Sequence, residues 1–245
     1  MNEHGSVQPP STTDNEAALA RARAGLYRFI SAAFAKPPTP EVVGRLADPA
    51  FQELLERCFD EGIVNELRQG VAAGPNPVAA LRQQFMDLFK VPAARYVQPY
   101  ESVYRDSREI NGKMVKGLLM GPSAQAVQKW YRLAAREISE DFKDLPDHVA
   151  LEFHFLAELC EEEAGFHEAG QPDKARRARE MQRDFLKGHI LSWVPRLAKA
   201  IHEAADGGYY PAVADLAVAF SRQELAALEA ELGPAIASET PAYKD

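Results

Sequence analysis

The most constraining feature of the sequence is the run VALEFHFLAELC at residues 149–160, which is apolar on nearly every side of a helix. A helix of this kind needs other elements around it, so it is typical of the centre of a bundle. Other segments, such as residues 78–89, carry apolar residues at steps of three and four, which mark one helix face. No convincing alternating strand is found. The sequence therefore predicts an all-α fold.

Helix boundaries are indicated by prolines that follow a capping residue, as in Thr39-Pro40, Asp48-Pro49 and Asn76-Pro77. Toward the C-terminus, residues 211–232 predict one helix, or two if the capping-box pair Ser221 and Glu224 begins a second. Counting the segments in this way gives a single bundle of about eight to ten helices.

The expected domain organisation is one helical domain with two terminal tails and two internal interruptions. Residues 1–12 and 234–245 are expected to be flexible tails around a helical domain at 13–233. Within this domain, Gly70 to Pro77 breaks the pattern, and we expect a hinge near 70–76. Residues 90–121 have three glycines, two prolines and no sustained period, which predicts a long functional loop. Either interruption leaves a division into two subdomains open.

The charge balance and the absence of targeting signals limit the function classes. The 245 residues include 28 Lys and Arg against 36 Asp and Glu, a net charge of −8, which disfavours a nucleic-acid partner and favours a cationic one. Cys58 and Cys160 are too few for a disulfide framework. No apolar run approaches the roughly 20 residues that span a bilayer, and the N-terminus lacks a secretory pattern. We therefore expect a cytoplasmic protein without stable membrane insertion.

Motifs of catalysis and metal binding are weak or missing. Glu-x-x-His pairs, which hold di-iron centres in bundles, do not occur. Pairs spaced by four also fit plain surface pairs or caps; these are His148/Glu152, His154/Glu158 and Glu163/His167. Gly-x-Ser-x-Gly and the glycine-rich phosphate loops are absent. We predict no catalytic residue, no metal and no cofactor. The alternative is a helical enzyme or small-molecule-binding protein with a pocket near the 90–121 loop.

Two non-periodic segments, PYESVY at 99–104 and LPDH at 145–148, combine aromatic and acidic side chains. Such a combination suits a peptide that carries apolar and cationic residues. A structural role stays open for each residue. Asp147 can cap the central helix, because a carboxylate is favourable there. His148 can bond a loop carbonyl, and the tyrosines can attach the loop to the bundle.

These two segments and several others, taken in order, carry a family resemblance that extends over roughly residues 15–230. They are FMDLF with Val91-Pro92, PYESVY, Gly121, LPDHVALEFHFLAEL at 145–159, FLKGHILSWVP at 185–195 and Tyr209-Tyr210. The chain resembles the TorD/DmsD-type (TorD/NarJ superfamily) redox-enzyme maturation chaperones. The segment at 105–120 is longer than this family leads us to expect, and Tyr100-Glu101 stands where relatives often carry Trp-Gly.

The resemblance implies a non-catalytic cytoplasmic chaperone that is all-α and acts as a monomer or homodimer. Its implied partner is the apo catalytic subunit of a molybdopterin oxidoreductase, together with that subunit's twin-arginine signal peptide. The chaperone would aid cofactor insertion and hold back premature export; a NarJ-like role without export stays open. The implied peptide- and client-binding residues are Leu88, Phe89, Pro99, Tyr100, Glu101, Ser102, Tyr104, Gly121, Asp147 and His148.

Each chemical type of side chain in and beside this set is expected to recognise a different part of the peptide. The carboxylates of Glu101, Asp106 and Asp147 would pair with the arginines. Leu88, Phe89 and the two tyrosines would receive the apolar part. His148 would supply a donor whose charge responds to its surroundings near neutral pH.

Overall fold

The computed structural model describes residues 12–72, 74–134 and 144–235. Its elements, in chain order, are α1 (Thr12–Ala35), α2 (Pro40–Leu46), α3 (Pro49–Cys58), α4 (Glu61–Ala72), α5 (Pro77–Phe89), α6 (Glu101–Arg105), β1 (Arg108–Ile110), β2 (Lys113–Val115), α7 (Pro122–Leu133), α8 (Val149–Glu168), α9 (Pro172–Phe185), α10 (Leu191–Ala204) and α11 (Tyr209–Leu232). A π-helical segment, Leu186–Ile190, joins α9 to α10 without a break. The described residues thus contain ten continuous helices, and the predicted all-α bundle is confirmed.

The local signals placed several helix boundaries correctly. The side chains of Thr39, Asp48 and Asn76 each accept a backbone N–H from the first turn of the helix that follows. Ser221, in contrast, is buried inside α11, which runs through it without interruption. Of the two arrangements left open for residues 211–232, the single helix is the one that forms.

α8 is the central helix, as the apolar run predicts. Its buried residues point in all directions around its axis, and α1 and α9 pack along it on different sides. Tyr27 of α1 shows how the layers connect, because its ring lies 6.2 Å from Phe153 of α8 and 4.6 Å from Phe220 of α11. One hydrophobic cluster extends from Ala24 to Leu228 and joins these helices into one bundle. None of the helices in the described ranges is long and apolar enough to cross a membrane.

The segment 90–121 is more ordered than the predicted loop. It contains the five-residue helix α6 and an antiparallel ribbon in which Arg108 pairs with Val115 and Ile110 with Lys113. The expectation of one long loop was wrong at these positions. Elements this short show neither a helical repeat nor a strand alternation, so the sequence pattern could not reveal them.

The predicted hinge near 70–76 stays a prediction, and residue 73 lies outside the described residues. At its start, α4 continues to Ala72, and Gly70 lies against the backbone where α11 begins. A Cβ atom at residue 70 would overlap the backbone nitrogen of Tyr209, so only glycine allows this approach. Both predicted tails lie outside the described residues, apart from Thr12, Pro234 and Ala235.

Candidate functional site

The two motif segments that the sequence analysis selected lie side by side. Tyr100 and His148 form an isolated antiparallel bridge. Beside this bridge, the Glu101 N–H donates to the Asp147 carbonyl at 3.0 Å, and the Val149 N–H donates to the Pro99 carbonyl at 2.9 Å. Backbone hydrogen bonds therefore fix the start of α6 against the start of α8.

Asp147 and His148 each cap a helix, but on different elements. Asp147 Oδ2 accepts the Ser102 N–H at 2.9 Å and so caps α6, and not α8 as one of the open alternatives had it. His148 Nδ1 accepts the Ala150 N–H at 3.1 Å and caps α8. Both residues are buried. Burial lowers the pKa of His148 to about 4, so its ring is neutral at pH 7, which lets Nδ1 act as an acceptor.

A buried polar network lies behind these caps. We call it the acidic network and define it by Glu101, Arg105, Glu152, His189 and Trp193. Glu101 is fully buried, with Oε2 at 2.9 Å from His189 Nδ1 and Oε1 at 2.8 Å from Arg105 Nη1. Trp193 Nε1 donates to Glu152 Oε2 at 3.0 Å. The network therefore ties α6 to α8, to the π-helical segment and to α10.

The surroundings of the acidic network shift the pKa of one of its two carboxyl groups. Burial, followed by the charge of Glu101, raises the pKa of Glu152 well above its ordinary value. The raised pKa favours the protonated form of Glu152, which can donate a hydrogen bond to Glu101. Burial likewise raises the pKa of Asp147. Three buried atoms of this region have no hydrogen-bond partner in the part of the chain that the structure describes, so the desolvation of these groups is only partly offset. They are Asp147 Oδ1, Glu152 Oε1 and His189 Nε2.

Of the other predicted binding residues, some are buried in the core and some are partly exposed at the surface beside α6. Leu88 and Phe89 are core residues; the Phe89 ring packs edge-on against Phe34 at 5.7 Å and against Tyr210 at 5.3 Å. Phe89 therefore offers no surface to a peptide in this conformation. Pro99 and Ser102 are also buried.

Tyr100, Tyr104 and Gly121 lie at the half-exposed edge. The Tyr100 hydroxyl donates to Asp144 at 2.7 Å, and the Tyr104 ring stacks on Trp193 at 5.6 Å. Gly121 precedes α7, at a point where a Cβ atom would overlap Asp106 Oδ2. These three residues therefore border the buried part of the site, and the tyrosines attach α6 to the bundle.

Sequence reasoning did not select Glu152, His189 or Trp193 as site residues. A signal for Glu152 was present, because it is a carboxylate in the most apolar helix of the chain, and such a group needs an internal partner. His189 and Trp193 lie four residues apart in a segment that was noted only for its family resemblance.

A small cavity of about 90 Å³ opens beside α5 and the end of α10. We call it the acidic cavity; it is lined by Gln84, Asp87, Leu88, Arg95, Ala204, Ala205, Asp206 and Gly207. Arg95 Nη2 lies 3.4 Å from Asp206 Oδ2, and both side chains are largely exposed, at 60% and 95%. Leu88 is the one predicted binding residue on its lining. Through Arg95, the cavity touches the 90–121 segment, where the alternative interpretation expected a pocket.

The structure thus defines a helical bundle in which residues of the polar motifs are buried in the interior and a small, charged cavity opens beside α5. Among the described residues, no group of three or more His, Cys, Asp or Glu side chains is placed to hold a metal ion. Both cysteines are free.

Comparison with known proteins identifies the family. The sequence model described as nitrate reductase delta subunit matches residues 52–199, more than half of the chain. The chain therefore belongs to the nitrate reductase delta subunit family, and its resemblance to the TorD-type redox-enzyme maturation chaperones is confirmed.

Individual relatives extend this similarity over most of the chain. It is 27% identical over 209 residues to the chaperone protein TorD of Vibrio cholerae, covering 82% of this chain and 90% of the relative. It is 28% identical over 210 residues to TorD of Vibrio vulnificus, covering 81% and 90%. A solved redox enzyme maturation protein from Archaeoglobus fulgidus is 18% identical, with a TM-score of 0.42, and covers 91% of this chain and 98% of its own.

Proposed function

We propose that this protein is a non-catalytic cytoplasmic chaperone that binds the apo catalytic subunit of a molybdopterin-dependent oxidoreductase. It aids cofactor insertion and holds back export until the subunit is complete. The observation that carries this proposal is the similarity to TorD chaperones over nine-tenths of their length. The chain acts as a monomer or homodimer.

We further propose that the acidic cavity receives the twin-arginine part of the client's signal peptide. Asp87 and Asp206 supply two carboxylates on one lining, and Arg95 already places a guanidinium beside Asp206. An exposed ion pair of this kind contributes only about 0–1 kcal/mol, so a client arginine can replace Arg95 at little cost. Carboxylates also bind guanidinium groups through two parallel hydrogen bonds, which favours arginine over lysine.

The predicted binding residues take a different role in this proposal. Glu101, Asp147 and His148 are buried and hold α6 and α8 in place, so they support the site without touching the peptide. The apolar part of the peptide would follow α5 instead. There, Met86 and Val91 are exposed next in sequence to Asp87 and Lys90, at 38% and 44%.

A binding titration tests the site. The probe is a labelled synthetic peptide in which two adjacent arginines precede a leucine- and alanine-rich segment. We expect Asp87→Asn or Asp206→Asn to weaken binding by about tenfold or more, since a hydrogen bond to a charged group is worth about 1.5–3 kcal/mol. Asp173→Asn, which removes the same charge from exposed α9, is the matched control. Equal affinities for all three variants would place the peptide elsewhere.

Affinity capture from the source organism, grown under anaerobic respiration, tests the wider function. We expect mass spectrometry to find a molybdopterin oxidoreductase catalytic subunit with its signal peptide uncleaved. A subunit that carries no signal would assign the chain to the branch that serves non-exported enzymes. A tightly bound small molecule and no oxidoreductase would instead support the small-molecule-binding alternative.

A further inference from the structure

The segment that follows α6 concentrates exposed apolar side chains. Ten large hydrophobic residues are exposed in the described ranges, and five of them fall within eleven residues of the chain. They are Ile110, Val115, Leu118, Leu119 and Met120, and Leu118 is the most exposed, at 79%. A contiguous set of this kind marks an interaction site more often than scattered surface residues do.

The register of the ribbon combines these apolar residues with positive charge. Directly paired residues of an antiparallel ladder share a face, as do residues two apart on one strand. Arg108, Ile110, Lys113 and Val115 therefore project from the same face of β1 and β2. Neither Arg108, Lys113 nor the following Lys116 makes an ion pair with any other residue in the part of the chain that the structure describes. We call residues 108–120 the hairpin surface.

The hairpin surface is firmly attached at its base. The Gly117 N–H donates to the Val103 carbonyl of α6 at 3.1 Å, and a Cβ atom at residue 117 would overlap the Ser102 carbonyl oxygen. Asp106, just before β1, accepts the hydroxyl and the N–H of Ser123 at 2.6 and 3.2 Å. These contacts fix the direction in which the exposed face points, so a partner meets a preformed surface.

We propose that the hairpin surface docks a segment of the client polypeptide, outside its signal peptide, on which acidic and apolar side chains alternate. The identity of this partner as the client rests on the proposed function. Charge complementarity decides the type of segment, because unpaired cations lie between the apolar groups on one face. The same cations repel a twin-arginine peptide. The acidic cavity and the hairpin surface therefore select opposite charges.

An anionic membrane fits the surface less well. The turn of the ribbon is Asn111-Gly112, which is polar and unfavourable in hydrocarbon. The cations lie between the apolar residues, so apolar insertion would carry the charges into the bilayer as well. The whole chain also has a net charge of −8, which an anionic bilayer repels.

Direct binding to the full chain tests the proposal with two probes. One is a labelled peptide of alternating glutamate and leucine, and the other is its lysine–leucine counterpart. We expect the acidic peptide to bind and the basic one not to bind. Lys113→Glu should weaken binding of the acidic peptide by about tenfold, as should Leu118→Ser. The matched controls are Lys129→Glu on α7 and Leu19→Ser on α1, both exposed, which should leave binding unchanged.

Three outcomes would overturn the proposal: equal binding of both peptides, no binding of the acidic peptide, or loss of binding in the controls as well. Binding to phosphatidylglycerol vesicles without binding to the peptide would also overturn it, in favour of a membrane contact. The twin-arginine peptide separates this proposal from the previous one. Asp206→Asn should affect only that peptide, and Lys113→Glu only the acidic peptide.

Discussion

The acidic network and the hairpin surface are neighbours in the chain but use charge in opposite ways. Glu101 is fully buried, with His189 and Arg105 as ion-pair partners. Seven and twelve residues after Glu101, the side chains of Arg108 and Lys113 stand in solvent without ion pairs to other described residues. A buried charge is tolerated only when it is paired, whereas an exposed one is satisfied by water and remains available to a partner. Glu101, a motif residue that suggested binding, thus lies in the interior, whereas the hairpin surface, which contains no recognised motif, is exposed.

The sharpest test of this difference removes the central carboxylate of the acidic network. Glu101→Ala removes the carboxylate that His189 contacts in the fully buried part of the network, so we expect a loss of about 3–5 kcal/mol in the free energy of unfolding. Urea denaturation followed by circular dichroism measures it. Glu109→Ala, an exposed carboxylate on β1, should stay within about 0.5 kcal/mol of the wild type. Similar values for both variants would contradict the distinction between the two regions.

A second change acts where the two regions join. Gly117→Ala forces a Cβ atom against the Ser102 carbonyl, so the ribbon must shift, and we expect a cost of about 1–3 kcal/mol. Its control is Gly165→Ala at an exposed position of α8, where nothing lies within 4 Å of the added carbon. That variant should gain about 0.5–1 kcal/mol from the reduced chain entropy. A Gly117→Ala protein as stable as the wild type would show that the hairpin is not fixed at its base.

The raised pKa of Glu152 in the acidic network predicts a pH dependence of stability. The pKa of Glu152 is higher in the folded than in the unfolded chain, so the folded state binds more protons above about pH 4.3. Its contribution to stability is therefore present at low pH and falls as pH rises, by up to about 1.4 kcal/mol per pH unit. Glu152→Gln should remove this decline.

Unfolding experiments at several pH values, comparing wild type with Glu152→Gln, measure the difference. Other groups titrate in both proteins and cancel in this comparison. Glu109→Gln on the hairpin surface serves as the control and should follow the wild type throughout. Parallel curves for wild type and Glu152→Gln would mean that Glu152 is charged in the folded protein.

The smallest expected effect concerns the cap of the central helix. His148→Ala removes the acceptor for the Ala150 N–H and should cost about 1 kcal/mol at pH 7, whereas His148→Asn keeps a capping side chain. Burial lowers the pKa of His148 to about 4, below its unfolded value near 6.5. Its contribution is therefore present above about pH 6.5 and lost as pH falls toward 4.

Unfolding of the three proteins at pH 7 and pH 5 checks this prediction. We expect His148→Asn to lose less stability on acidification than the wild type. If His148→Ala matches wild-type stability at pH 7, the cap is dispensable.

Sequence patterns predicted the bundle more reliably than they predicted the site. The caps at Thr39, Asp48 and Asn76 and the central position of α8 were correct, because each depends on residues within one or two turns. The motif segments at 99–104 and 145–148 lie side by side, and their role in binding stays a prediction. Whether their side chains face solvent was not predictable, since Asp147 lies in a non-periodic segment that is compatible with core and surface alike.

The sequence by itself determined that this chain is helical, where many of its helices begin and which helix lies at the centre, because periodicity and capping are local properties. Tertiary structure decided which groups share the interior. Glu101 meets His189 across 88 residues of chain, and Ser102 meets Asp147 across 45. The raised pKa of Glu152 and the lowered pKa of His148 follow from the burial that these long-range contacts create, since removal from water penalises the charged form.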